Sequence, residues 1–158
     1  MDDNEKDGAA VRIPPPLVFL GGVIVGVVVH AFVTPLPIGL SAGLRIAIGV
    51  TAVVPGLVLM AGAIGLFRRT GQDPKPWKST PEIVSTGVYR ITRNPMYVGM
   101  ALLQIAIGVG LANWWVIILV PVALSIVHTT AVRHEEVYLE RKFEDEFTRY
   151  KASVRRWL

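Results

Sequence analysis

A polar segment in the middle of the chain carries side chains that could bind a ligand. It runs over residues 81–99 and presents Tyr89 and Tyr97 on either side of the Asn94-Pro95 step. The proline restricts Asn94 to extended backbone geometry, which leaves its amide group free to contact something other than its own helix. Pro95 itself suits the first turn of a helix, because its missing N–H is not needed there. A helix start with aromatic side chains at a membrane surface is the simpler alternative for these residues.

A second polar segment lies further along the chain and combines two carboxylates with a helical pattern. Read as a helix, the residues after Arg133 place Glu135 on one face with Leu139, Phe143, Phe147 and Tyr150. A carboxylate at the head of such a face is destabilising unless it meets a partner or a cationic ligand. The helix dipole favours acids in a first turn and accounts well for Glu136, but it accounts less well for Glu135.

The composition places both segments in a membrane protein. Of the 158 residues, 52% are hydrophobic and only 18% are charged, whereas a soluble domain has about 25% charged residues. The chain has no cysteine, which excludes a disulfide scaffold, thiolate metal sites and a cysteine nucleophile. His30 and His128 lie in apolar stretches without a second ligand at the spacing of one helical turn, so no metal site is expected.

The distribution of charge predicts a single all-α integral membrane domain with four transmembrane helices. Crossing a bilayer core takes roughly 20 apolar residues of helix. Two long stretches with almost no charge meet this requirement, and turn-forming residues at 34–37 and 112–113 divide them. The predicted spans are residues 17–34, 41–67, 95–111 and 114–132, followed by an amphipathic C-terminal helix on the cytoplasmic side.

Lysine and arginine residues give the expected orientation, because cytoplasmic loops retain positive charge. With four spans, 15 of the 16 Lys and Arg residues lie on one side of the membrane and Arg45 lies on the other. Both termini are therefore expected in the cytoplasm, and the short loops point to a prokaryotic cell membrane. Topology accounts for the basic excess, so no nucleic-acid partner is expected. The tryptophans, which favour the headgroup level, fall at predicted span ends: Trp77, Trp114, Trp115 and Trp157.

This topology brings the two polar segments together. Both leave the membrane on the cytoplasmic side, at opposite ends of the hairpin formed by the third and fourth spans. They predict a pocket at the bilayer surface made of tyrosines, Asn94, an arginine and two carboxylates. Such a pocket suits a polar cofactor that bears a positive charge, with a lipophilic substrate arriving from the lipid.

The two segments resemble the signature of the integral-membrane methyltransferases typified by isoprenylcysteine carboxyl methyltransferase and the phospholipid methyltransferases. The resemblance covers roughly residues 80–157, and the first two spans match only in kind. The matching residues are Gly87-Val88-Tyr89, Arg93-Asn94-Pro95-Met96-Tyr97-Val98-Gly99, Glu135-Glu136 and the helix from Phe143 to Tyr150, which ends near Val154-Arg155-Arg156-Trp157.

The resemblance implies S-adenosylmethionine as the cofactor and methyl transfer to a lipid or another lipophilic, membrane-borne acceptor. Aromatic rings would stabilise the sulfonium cation by about 0.5–2 kcal/mol each, and carboxylates would do so in a poorly solvated site. Arg133 and Glu136 are the candidate catalytic residues. The implied cofactor-binding residues are Tyr89, Asn94, Pro95, Met96, Tyr97 and Glu135, with Ile83 and Val84 on the adenine side.

Three positions depart from the family pattern. Asn94 stands where prenylcysteine-specific members carry histidine, and Glu144 stands where the family usually has glycine. Eukaryotic members place a substrate-contacting arginine about one turn before the acidic residue. Here that turn offers Ala131, and the nearest arginine is Arg133. These departures argue against a prenylcysteine substrate, and the acceptor and the oligomeric state stay open.

Two other functions also stay open. Steroid-reductase-like membrane enzymes resemble this topology but use a nicotinamide cofactor. A small membrane subunit without catalytic activity would instead use its glycine-rich spans as an interaction surface. Gly22 and Gly26 form one pair of small residues that lets helices approach closely, and packing inside the bundle is its expected use.

Overall fold

The computed structural model describes residues 9, 11, 13–71, 78 and 80–158, and in this part of the chain the prediction of an all-α fold is confirmed. Lys6, Arg12, Lys75 and Trp77, which the charge and aromatic arguments use, lie outside the described residues. A 3₁₀ turn at Gly87–Arg90 precedes the third helix, and a π-helical turn at His128–Val132 follows the fourth. The helices are α1 (Pro15–Phe32), α2 (Ala42–Arg69), α3 (Pro95–Gly110), α4 (Trp114–Val127) and α5 (Arg133–Ser153).

Local sequence explains where the apolar helices begin. Pro15 and Pro95 stand in the first turns of α1 and α3, where a proline has no helical hydrogen bond to lose. The Ser41 hydroxyl caps α2 by accepting a hydrogen bond from the Leu44 N–H, and the side chain of Asn113 caps α4 in the same way. These caps satisfy backbone donors that a helix start leaves without partners.

Helix lengths support an integral membrane protein. Among the described residues, three helices are long and apolar enough to cross a bilayer: Pro15–Phe32, Ala42–Arg69 and the continuous helix Trp114–Ser153. The apolar helix α3 has 16 residues, or about 24 Å at a rise of 1.5 Å per residue. This length is shorter than a hydrocarbon core of about 30 Å.

The helices pack as two pairs, α2 against α3 and α1 against α4. Glycines allow the close approach: a Cβ at Gly99 would lie 2.8 Å from a backbone oxygen of α2, and one at Gly26 would lie 2.7 Å from the Val116 nitrogen. A Cβ at Gly22 would likewise meet the Gln104 side chain at 2.8 Å. The Gly22 and Gly26 pair thus packs within the chain, which is the use expected for it.

The fourth apolar helix runs on into the C-terminal helix instead of ending before it. The π-helical turn His128–Val132 joins α4 to α5, and the hydroxyls of Thr129 and Thr130 bond to carbonyls one turn earlier. A π-turn holds more residues than an α-helical turn, so it rotates the side chains that follow. The π-turn therefore helps to decide which side of α5 presents Glu135.

Helix α5 is kinked at Glu144, whose backbone has φ 43° and ψ −114°. A positive φ is strained for a residue with a side chain, whereas glycine adopts it readily. The glycine that the family usually has at this position therefore has a structural reason, and Glu144 adopts the same positive φ with strain. The face that the sequence predicts from Glu135 to Tyr150 is therefore carried by two helical segments that meet at the kink, rather than by one straight helix.

Replacing Glu144 with glycine is expected to stabilise the protein by about 1 kcal/mol, because it removes a strained positive φ. Thermal unfolding in a mild detergent measures the change. Glu146→Gly is the matched control, since Glu146 is an exposed residue of the same helix without a positive φ. There glycine is expected to destabilise by about 1 kcal/mol. Equal losses for the two variants would contradict the assignment of strain to Glu144.

Candidate functional site

A cavity opens at the end of the bundle where α2 ends and α3 begins. The loop before α3, the first turn of α3 and one side of α5 form its wall, while Ala9 and Phe67 line it from the α1 and α2 side. The structure brings all eight predicted cofactor-binding residues to this cavity, and their role in binding stays a prediction. They are Ile83, Val84, Tyr89, Asn94, Pro95, Met96, Tyr97 and Glu135.

The 3₁₀ turn Gly87–Arg90 buries Tyr89 in the cavity wall. Gly87 has φ 56°, a conformation that favours glycine, and a Cβ there would lie 3.0 Å from a methyl group of Leu66. The Tyr89 ring packs on Phe67 with centroids 5.5 Å apart. Burial raises the pKa of the Tyr89 phenol far above its ordinary value. This side chain is therefore uncharged and offers a ring rather than an anion.

The C-terminal residues hold the loop before α3 in place. The Arg156 carbonyl oxygen accepts hydrogen bonds from the Thr92 hydroxyl at 3.0 Å and from Asn94 Nδ2 at 2.9 Å. The Arg93 N–H donates to the Arg155 carbonyl at 2.9 Å. As the sequence predicts, the Asn94 amide contacts something outside its own helix, and that partner is the C-terminal backbone. Asn94 thus positions the loop while it lines the cavity. The prediction of extended geometry for Asn94 is wrong, because its backbone has φ −126° and ψ 53°.

Glu136 joins α5 to both the C-terminal residues and the loop. Its carboxylate accepts hydrogen bonds from Arg156 Nε at 2.9 Å and Nη2 at 2.8 Å, and Arg93 Nη1 lies 3.0 Å from Oε1. Burial by itself raises the pKa of Glu136, but the hydrogen bonds from Arg156 and the charge of Arg93 outweigh it and hold that pKa below its ordinary value. Glu136 is therefore negatively charged at neutral pH.

Glu135 has a different environment. Its Oε1 accepts a short hydrogen bond from the Tyr97 phenol, and of the described residues no arginine or lysine pairs with it. Burial of the carboxylate raises the pKa of Glu135 from 4.5 to about 7, the Tyr97 hydrogen bond opposes that rise, and the charge of Glu136 adds to it. The cavity wall thus holds a carboxylate whose negative charge has no positive partner in this part of the structure.

Arg133, a candidate catalytic residue by sequence, is exposed and lies outside the cavity lining. It precedes Glu135 by two positions, and helix residues two apart point to different sides. The arginine that lines the cavity is Arg93, which belongs to the sequence motif but received no role from it. Glu136, the other candidate catalytic residue, does line the cavity.

Tyr138 and Phe67 are lining residues that sequence reasoning missed. The Tyr138 hydroxyl accepts hydrogen bonds from the Thr80 N–H at 3.1 Å and from Lys142 Nζ at 2.9 Å. Tyr138 follows Glu135 by three positions, a spacing that shares one helix face, so the sequence contained a signal for it. Phe67 ends an apolar span and carried no such signal.

The fold and the cavity define a class of protein: an all-helical membrane domain with a cavity at one end of its bundle. The family model described as phospholipid methyltransferase matches residues 44–146, and the chain belongs to that family. At this level it is a membrane methyltransferase. An uncharacterized protein of Haemophilus influenzae is 38% identical over 63 residues, which are 40% of this chain and the whole of that protein.

Substituting Glu136 with glutamine is expected to lower the free energy of unfolding by about 2–4 kcal/mol, because two arginines lose the charge that they surround. Glu140→Gln removes an equivalent charge from an ion pair with Lys151 in which both side chains are about 40% exposed, and it is expected to lose less than about 1 kcal/mol. Thermal unfolding of both variants in detergent compares them. Similar losses would mean that Glu136 does not anchor the site.

Proposed function

We propose that this protein transfers a methyl group from S-adenosylmethionine to a lipophilic acceptor that reaches the cavity from the membrane. One observation supports this most: the Glu135 carboxylate lines the cavity, the Tyr97 phenol donates a hydrogen bond to it, and no arginine or lysine among the described residues forms an ion pair with it. A cationic ligand balances such a charge. Membership of a methyltransferase family supports the reaction type.

The residues of the cavity fit S-adenosylmethionine, which combines a positive charge with a flat adenine ring. Tyr89 and Tyr97 offer aromatic rings that stabilise a cation, and Glu135 offers a carboxylate to the positive charge or to the ribose hydroxyls. Ile83 and Val84 line the loop side of the cavity and offer apolar contacts to the adenine. The fit rests on the Glu135 carboxylate and the neutral rings of Tyr89 and Tyr97 in one wall, a set of groups that suits the positive charge of the cofactor.

When bound, the cofactor supplies an electrophilic methyl group on a positively charged sulfur. The protein contributes by aligning the two reactants, which is the main catalytic effect in a displacement of this kind. Tyr97 fixes the Glu135 carboxylate relative to the first turn of α3. Glu136 is charged and already accepts two hydrogen bonds from Arg156, so we assign it a positioning role rather than that of a proton acceptor.

Met96 and Leu139 add apolar surface to the cavity lining, which suits a lipophilic acceptor. The cavity lies where the apolar helices α2 and α3 meet the polar loop, so an acceptor can remain anchored in lipid while its reactive end enters. Arg68 near the end of α2, Arg90 in the loop before α3 and Arg155 after α5 support a cytoplasmic position for the cavity, because cytoplasmic segments retain positive charge. We propose a prokaryotic cell membrane as the location.

Binding of methyl-labelled S-adenosylmethionine to the purified protein tests this function. Glu135→Gln keeps the shape of the side chain and removes its charge, so the affinity is expected to fall at least about tenfold. Glu146→Gln, which changes an exposed acid of the same helix, is expected to bind as the wild type does. With native lipid extract present, the label is expected to enter a lipid-soluble product.

Two results would contradict this proposal. Binding of NADPH without binding of S-adenosylmethionine would favour the steroid-reductase-like alternative. A folded wild-type protein that binds neither cofactor would favour a membrane subunit without catalytic activity.

The raised pKa of Glu135 predicts that cofactor binding depends on pH. A cation favours the ionised carboxylate, so the affinity should rise as pH increases through 7 and level off above about pH 8. Below pH 7 it should fall by up to about tenfold per pH unit. Calorimetric titrations at about pH 6, 7 and 8 measure the effect. Glu135→Gln separates this dependence from any titration of the cofactor itself, and an equal dependence in that variant would contradict the assignment.

A further inference from the structure

Arg93 is a buried cation that the fold places in the cavity wall without satisfying its guanidinium group. The side chain is 9% exposed and lines the cavity together with Asn94 and Tyr97. Its Nε and Nη1 atoms have no hydrogen-bond partner among the described residues. Nη1 lies 3.0 Å from Glu136 Oε1, close enough for an ion pair but not aligned as a hydrogen bond.

The carboxylate next to Arg93, that of Glu136, already has other hydrogen-bond partners. Glu136 accepts two hydrogen bonds from Arg156, so these three side chains together carry one surplus positive charge. The other carboxylate on α5 in the cavity wall, Glu135, is bonded to Tyr97. A buried guanidinium with unsatisfied N–H groups is unfavourable as a purely structural feature. An anionic ligand would satisfy both the charge and the donors.

We propose that Arg93 forms an anion subsite of the cavity, where the edge of its guanidinium group that contains the unpartnered Nε binds a carboxylate or phosphate oxygen of a ligand. The planar guanidinium suits both groups because it presents parallel donors. This proposal rests on the proposed function, and it limits the ligands of the cavity to molecules that carry a carboxylate or phosphate group. Two sources supply this chemistry: the carboxylate at the amino-acid end of the cofactor, and an acidic headgroup on the lipophilic acceptor.

Two pairs of probes separate these sources. S-adenosylhomocysteine carries the amino-acid carboxylate, whereas 5′-methylthioadenosine lacks the amino-acid end. Oleic acid carries a carboxylate that oleyl alcohol lacks, and both are added to protein in phosphatidylcholine nanodiscs without cofactor. Calorimetry compares the wild type with Arg93→Gln and Arg93→Lys. Arg133→Gln is the matched control, because Arg133 is exposed and lies outside the cavity lining.

We expect Arg93→Gln to weaken binding of an anionic probe by about 10–100-fold and to leave its uncharged counterpart unchanged. A loss confined to S-adenosylhomocysteine assigns the subsite to the cofactor, a loss confined to oleic acid assigns it to the acceptor, and a loss for both means that the subsite serves both. Arg93→Lys keeps the charge without the planar donors and should show a smaller loss. Unchanged binding of the uncharged probes shows that the variants are folded.

Two results would overturn the subsite. One is wild-type affinity of Arg93→Gln for both anionic probes. The other is a parallel loss for charged and uncharged probes, which marks a structural role for Arg93. A wild-type protein that binds neither adenosine compound rejects the proposed function instead, and the oleic acid pair still tests the subsite in that event.

Discussion

Three separate parts of the chain meet on the carboxylate of Glu136, and the cavity depends on that meeting. Helix α5 contributes the acid, the C-terminal residues contribute Arg156, and the loop before α3 contributes Arg93. Over its described residues 80–94 the loop has one 3₁₀ turn and otherwise no helix or strand, so this part has few backbone hydrogen bonds of its own to hold it. A poorly solvated acid favours paired arginines, and that preference fixes the loop against α5.

The neighbouring acid shows how one helical turn serves two purposes. Consecutive residues on a helix point about 100° apart, so Glu135 faces Tyr97 while Glu136 faces the arginines. Their pKa values are displaced in opposite directions, upward for Glu135 and downward for Glu136. Titratable groups whose environments push their pKa values apart are typical of functional sites. The anchoring acid and the acid that we propose for cofactor binding are thus adjacent in sequence.

The membrane bundle sets the position of these groups. Glycine contacts bring α2 against α3 and α1 against α4. The π-turn and the kink at Glu144 then direct the two parts of α5. As a result, Phe147 and Tyr150 line the same cavity as Glu135, although the helix between them is not straight. A polar site can form in this way beside helices that otherwise face lipid.

Local patterns in the sequence predicted the helical membrane architecture and the approximate helix limits. They also predicted that the two polar segments converge on one pocket. These follow from local free energies: apolar runs favour helices in lipid, and prolines and caps mark where they start. Three outcomes became visible in the folded protein alone. Arg93 rather than Arg133 lines the cavity, and Phe67 lines it as well. The Asn94 side chain donates a hydrogen bond to the C-terminal backbone. These outcomes depend on how far side chains reach across the bundle and how the π-turn rotates α5. Contacts between distant parts of the chain set the reach of these side chains and the rotation of α5. A local sequence pattern contains no information on such contacts.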